Sequence, residues 1–156
     1  MDISEFIQES KHKSLEYAVF SNWHQPTPSW TDFENLYDRS IEVGRISLEG
    51  RILTPEMQYF LDQSKDAYPD IEYDIYIMES LNYRNLDPDD SGTPKHSDPK
   101  DILHWQCRGA TEWIIGKNDD VVILEPGDLL WFQANTNHKT SNLTEKCSLI
   151  FTEKEV

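Results

Sequence analysis

Cysteine is scarce in this chain, with two thiols, Cys107 and Cys147, in 156 residues. They form no CxxC pair, which sets aside a zinc knuckle or a thioredoxin-like motif. Both fall in β-like sequence, where a buried thiol behaves as a small hydrophobe; the alternative, a disulfide, implies an oxidising compartment. Basic residues are also few. Fourteen Lys and Arg against 29 Asp and Glu give a formal net charge of −15. So acidic a chain is poorly suited to displacing counterions from a nucleic-acid backbone or to an anionic membrane surface, and no run of Lys or Arg offers a local exception. No apolar run is long enough to cross a bilayer, and the opening MDISEFIQESKHK lacks an apolar leader core. The expectation is a soluble cytoplasmic protein whose partners include neither nucleic acid nor membrane. Internal repeats and low-complexity segments are missing too.

What the sequence has in quantity is short apolar runs separated by turns. Residues 2–10 put Ile3, Phe6 and Ile7 on one helical face. Residues 15–23 (LEYAVFSNW) read as a buried strand, and HQPTPSW, with Pro26 and Pro28, as a loop. Ser29 or Thr31 can cap a helix through residue 38, with Glu34 three positions after Thr31. Residues 41–48 read as another strand. Thr54, Pro55 and Glu56 open a further helix with Met57, Phe60 and Leu61 on its apolar side. From Glu72 onward β signals recur at short intervals: EYDIYIMES, DILHWQCRG, TEWIIGK, VVILE, DLLWF, HKTSN and CSLIF. Turns such as DPDDSGTP and Pro126–Gly127 divide them. Many short strands at this spacing predict a sandwich or barrel. The expected organisation is one domain over residues 1–156, with an N-terminal α/β elaboration over 1–71 and an antiparallel barrel over 72–156.

His96, Ser97 and Asp98 make an HxD motif. On an extended strand, residues two apart point to the same face, so His96 and Asp98 can converge on one ion. His138 lies 40 residues beyond Asp98, in another β-like segment. Two imidazoles and a carboxylate make a facial triad with open positions, a donor set suited to non-haem iron(II); manganese, nickel or zinc also fit on ligand type. HxD occurs by chance, and a lone histidine is usually structural, so the triad takes its weight from its surroundings.

Those surroundings resemble a known pattern. PGDLLWFQANTNHKTSN places a Pro-Gly turn, an apolar strand, His138 and then Asn142, and resembles the second motif of the cupin superfamily, except that Gln133 stands where that motif usually has proline. PKHSDPKDILHWQCRGATEW resembles the metal-binding stretch of the JmjC-like branch, with Gln106, Gly109 and Trp113 following the HxD. The resemblance covers the last 85 or so residues by motif and the N-terminal part more loosely. It implies a mainly β fold, the cupin-type double-stranded β-helix, or jelly-roll barrel. It also implies an iron(II)- and 2-oxoglutarate-dependent oxygenase that hydroxylates a protein side chain or small molecule, with His96, Asp98 and His138 as metal ligands. In such enzymes 2-oxoglutarate is decarboxylated to succinate as the substrate is hydroxylated; the protein contributes positioning and electrostatics.

The cosubstrate's distal carboxylate calls for a cation or several hydroxyls. The family often supplies a lysine two residues after the motif glycine, and here that residue is Thr111. Thr93, which matches a hydroxyl position used by some relatives, together with Thr111 and Tyr76 or Tyr83, forms a candidate neutral cradle. Arg108 and Lys139 neighbour inward positions and are expected to point outward. His104 shares strand parity with Asp98 and Gln106. It is a candidate fourth ligand, cosubstrate contact or wall histidine. Gln106 and Asn142 are inward amides with a candidate supporting or cosubstrate role. Trp105, Trp113 and Trp131 are expected to pack the core, Trp113 nearest the cavity. His12 and His24 are read as surface residues and DPDDSGTP as a solvated turn or an acidic lid. Two other readings stand beside the oxygenase: a metal-dependent cupin enzyme without 2-oxoglutarate, favoured by Thr111 and His104, and a non-catalytic cupin-like binding module. The net charge favours a basic peptide or cationic small molecule as substrate. A homodimer is expected by analogy alone.

Overall fold

The segments ILHWQCR, LLWF and CSLIF carry apolar residues at odd and even positions alike, and the sheet they build is covered on both faces. The structure, a computed structural model, describes residues 1–38, 44–80 and 94–154. Its elements are α1 (Ile3–His12), β1 (Tyr17–Phe20), α2 (Trp30–Glu34), β2 (Gly44–Ser47), α3 (Pro55–Ala67), β3 (Tyr73–Ser80), β4 (Ile102–Arg108), β5 (Thr111–Ile115), β6 (Asp120–Leu124), β7 (Leu129–Phe132), β8 (His138–Asn142) and β9 (Lys146–Glu153). Six strands form a large sheet in the order β1-β7-β4-β9-β3-β2, and three form a small one, β6-β5-β8. The pairings are antiparallel.

Strand parity sorts the large sheet into two faces. Leu103, Trp105 and Cys107 of β4, with Leu129, Trp131, Cys147, Leu149 and Phe151, pack against Phe6, Met57, Phe60 and Leu61 of the helices. The other face offers Ile102, Leu130, Phe132 and Ile150 to Trp113, Ile115 and Leu124 of the small sheet. Each large side chain fully buried in either layer contributes about 1.5–3 kcal/mol. Two antiparallel sheets enclosing an apolar layer make the jelly-roll barrel that the sequence motifs imply. No helix among the described residues is long and apolar enough to cross a membrane. Neither cysteine forms a disulfide, and both are buried in the layer beneath the helices.

The N-terminal elements follow their end signals with local shifts. Asp2 caps α1 by accepting from the Glu5 amide. Thr54, followed by Pro55, caps α3. The cap of α2 is Ser29, whose capping box closes on Asp32, so the Thr31–Glu34 pairing is not used and the helix ends at Glu34, short of residue 38. The strand expected over 15–23 shrinks to residues 17–20. It is half-buried because it lies at the edge of the large sheet, paired with β7 alone. β2 takes the other edge beside β3. Both N-terminal strands thus extend the sheet that the barrel strands build.

Candidate metal centre

The HxD pair does not lie on a regular strand, as parity had suggested. A single antiparallel bridge pins it instead: His96 N donates to His138 O at 3.0 Å, and His138 N donates to His96 O at 2.9 Å. The bridge adds one residue pair beside β8 and brings the two imidazoles edge to face, centroids 4.2 Å apart. Asp98 follows two residues later, its carbonyl accepting from the Asn135 amide at 2.7 Å.

Both rings are oriented by a main-chain carbonyl. His96 Nδ1 donates to Pro94 O at 2.8 Å, and His138 Nδ1 donates to Thr136 O at 3.0 Å. A neutral imidazole with Nδ1–H engaged presents the Nε2 lone pair as its ligand atom. The two Nε2 atoms lie 3.5 and 3.7 Å from Asp98 Oδ2, and one donor atom from each residue falls within 4.8 Å of the others. Donors on neighbouring corners around one ion at about 2.1 Å sit about 3 Å apart, so a small inward movement suffices to close on a divalent cation. His138 is buried. Burial above all, then the neighbouring His96, lowers its pKa and keeps it in the neutral form a metal needs, against the opposing pull of Thr136 and Asp98. His96 and Asp98 keep 39% and 31% of their side chains exposed, so the centre opens to solvent on one side.

Behind the triad a cavity of about 110 Å³ runs between the sheets. Its walls are largely apolar, with Met78, Ile102, Trp113, Phe132 and Ile150 prominent. His104, Thr111 and Lys146 supply polar groups away from the mouth. Lys146 is the residue that sequence reasoning missed. It is 7% exposed and makes no ion pair among the described residues. Burial is the main cause that pulls its pKa down to about 8, while Cys147, Cys107 and Glu79 act in the opposite direction. The available signal was parity. Lys146 shares a strand face with Ser148 and Ile150, but the apolar run CSLIF begins only at Cys147.

His104 is not a member of the ligand group. Its Nε2 donates to Gln106 Oε1 at 3.0 Å, which also accepts from Ser148 Oγ at 3.1 Å. The amide nitrogen of Gln106 donates to the carbonyls of Arg108 and Gly109 at 3.2 and 3.0 Å and to Thr111 Oγ1 at 3.2 Å. Two carbonyls facing that nitrogen fix the amide's orientation, so the proton of His104 sits on Nε2. Burial, followed by the charge of Lys146, pushes the His104 pKa down to about 3, and the ring is neutral at physiological pH. Gln106 supports His104 and Thr111 from behind the cavity wall, and Asn142 is likewise buried outside that wall, so neither lines the cavity. Gly109 takes φ +67°, and a Cβ there would run into the Glu145 carbonyl, which accounts for the motif glycine.

Among the other candidates, Tyr76 and Trp113 line the cavity, whereas Trp105 and Trp131 are buried beneath the helices. Arg108 reaches Thr27 Oγ1 at 2.8 Å, outside the cavity, and Lys139 does not line it. His24 packs on Tyr59 at 4.5 Å, away from the site. Thr93, Tyr83 and residues 87–93 of the acidic loop lie outside the described residues.

No protein-family model matches the sequence, and no curated protein does. Solved structures do. The chain is similar to E. coli YcfD with a TM-score of 0.72 at 11% identity, covering 100% of this chain and 54% of that one. It is also similar to the complex of YcfD, a ribosomal oxygenase from Escherichia coli, with cobalt and 2-oxoglutarate, with a TM-score of 0.69 at 12% identity, over 96% and 52% of the two chains. This chain therefore spans about half the length of those structures. At such low identity the likeness is one of architecture, and it agrees with the two-sheet barrel. The chain has a cupin-like, two-sheet jelly-roll fold.

Proposed function

We propose that this chain is a non-haem iron(II) oxygenase that uses 2-oxoglutarate as cosubstrate and hydroxylates a peptide side chain or a small molecule. The observation that carries the reading is Lys146. A buried ammonium without an ion-pair partner among the described residues shares one small cavity with a His–Asp–His group. Burying a cation is costly unless an anion meets it, and a dicarboxylate that reaches from the triad to Lys146 would supply that anion.

The donor set fits iron(II), which His96, Asp98 and His138 would hold through two imidazole Nε2 atoms and a carboxylate oxygen. When bound, iron with 2-oxoglutarate and oxygen supplies the oxidising power for C–H hydroxylation. The chain's own residues do the rest. Lys146 and the Thr111 hydroxyl receive the distal carboxylate, filling the role of the family's lysine from a different strand. Phe132, Ile150 and Trp113 exclude water. His104, neutral and tied to Gln106, shapes the wall without competing for the metal. The cavity is small, so the substrate is met at the mouth, where His96 and Asp98 are exposed. The excess of acidic residues favours a cationic substrate there.

The test is succinate release from 2-oxoglutarate in air with iron(II) and ascorbate, alone and with a pool of basic peptides. The expected result is succinate formation that disappears in Asp98→Ala. An iron-loaded protein that releases none under either condition would refute the use of 2-oxoglutarate.

A further inference from the structure

We propose that Asp101 is a positioning residue of the metal centre, setting the distance between Asp98 and His138. This rests on the reading of His96, Asp98 and His138 as metal ligands. Asp98 lies on no regular strand, so no sheet ladder fixes it. What fixes it is the loop between β7 and β8. Two consecutive amides of that loop turn back onto the HxD segment: Asn135 N donates to Asp98 O at 2.7 Å, and Ala134 N donates to Asp101 Oδ1 at 2.9 Å. These residues precede His138 by three and four positions, so the same stretch of main chain that carries one ligand grips the segment that carries another.

Asp101 is itself held from three sides. Tyr68 Oη donates to its Oδ2 at 2.7 Å, and Trp131 Nε1 donates to Tyr68 Oη at 2.9 Å. Thr152 Oγ1 donates to the Asp101 carbonyl at 2.8 Å, anchoring its main chain to β9. Burial and this carboxylate raise the Tyr68 pKa, so the phenol stays protonated as a donor. Lys11 approaches Asp101 at 3.7 Å but is half exposed and adds little. Asp101 thus joins the end of α3, β7, β9 and the His138 loop at one carboxylate, outside the cavity and without touching the metal position. Residues that orient ligands in this way are worth about 10–100-fold in metal affinity.

Cobalt(II) titration of the full chain, followed by the visible ligand-field spectrum below each variant's unfolding temperature, tests this. Asp101→Ala should weaken cobalt binding about 10–100-fold and alter the spectrum. Asp101→Asn, whose Oδ1 still accepts from Ala134 and whose amide can donate to Tyr68, should stay within a few-fold of wild type. A folded Asp101→Ala with wild-type affinity and spectrum would overturn the proposal. If that variant does not fold, Tyr68→Phe decides: a several-fold loss supports the role, and wild-type affinity overturns it. A wild-type chain that binds no cobalt would instead refute the metal centre itself.

Discussion

Replacing His138 by alanine should lower affinity for iron(II) or cobalt(II) by more than about 100-fold, beyond the 10–100-fold loss typical of a residue that merely orients a ligand. His138 is 4% exposed, its Nδ1 is committed to the Thr136 carbonyl, and its Nε2 faces Asp98 Oδ2 at 3.7 Å with no hydrogen bond among the described residues to give up when the metal arrives. Removing it leaves two donors, one of them a partly exposed carboxylate. The fold should survive. The His96–His138 bridge is made of main-chain atoms, which alanine keeps, and the lost side-chain hydrogen bond costs on the order of 1 kcal/mol. Metal content after dialysis and a thermal unfolding curve check both halves of the expectation. A folded variant that keeps stoichiometric metal would remove His138 from the ligand set.

The second large effect is at Lys146, where binding and stability should move in opposite directions. Lys146→Met removes the cation expected to receive the distal carboxylate. A charge-assisted hydrogen bond is worth about 1.5–3 kcal/mol, so 2-oxoglutarate affinity for the cobalt-loaded protein should fall by about 10–100-fold. The same change should stabilise the apo-protein by about 1–4 kcal/mol, because it replaces a desolvated charge by an apolar chain of similar size. The pH dependence has a definite sign. The folded pKa, about 8, lies below the ordinary 10.5 of lysine. The folded state therefore releases this proton more readily than the unfolded one. The burial cost is fully present below pH 8 and fades as pH rises from about 8 toward 10.5. The stability gap between variant and wild type should narrow over that window. Wild-type affinity for 2-oxoglutarate should decline as pH rises past about 8, while the methionine variant should show no bend there. Calorimetric titration across pH 6.5–9.5, roughly bracketing that value, separates the two. Equal affinities in both proteins would mean that Lys146 does not meet the ligand.

The grouping of His96, Asp98 and His138 was legible in the sequence because its signal is one of residue type. His96, Asp98 and His138 stand out chemically, and Pro126–Gly127, Gln106 and Gly109 place them in a known pattern. The barrel strands were legible because turns separate short apolar runs. The route by which the triad assembles was not. Parity on a strand would align His96 with Asp98, yet the segment holds a single bridge, and Asp98 is placed by the Asn135 amide, a contact between distant stretches with no local signature. Lys146 escaped for a related reason. It follows the short loop Leu143–Glu145 and reads as part of that turn, but pairing with β3 starts at Lys146 itself, opposite Ser80. That one residue of register places an ammonium inside the barrel. The register shift between Gln106 and Arg108 is similarly set by pairing with β9 and has no local cue beyond Gly109. His104 illustrates the limit of parity: it faces inward as expected, but its hydrogen bond to Gln106 and its place outside the His96–Asp98–His138 group are side-chain geometry that parity does not carry.

The central claim, that one cavity holds a divalent metal and a dicarboxylate together, is tested most directly by anaerobic titration of the apo-protein with iron(II) and then 2-oxoglutarate, following visible absorbance. The expected result is a weak charge-transfer band that requires both additions and is lost in Asp98→Ala. Iron that binds without the band would contradict the 2-oxoglutarate site, and a protein that takes up no iron would contradict the metal centre itself.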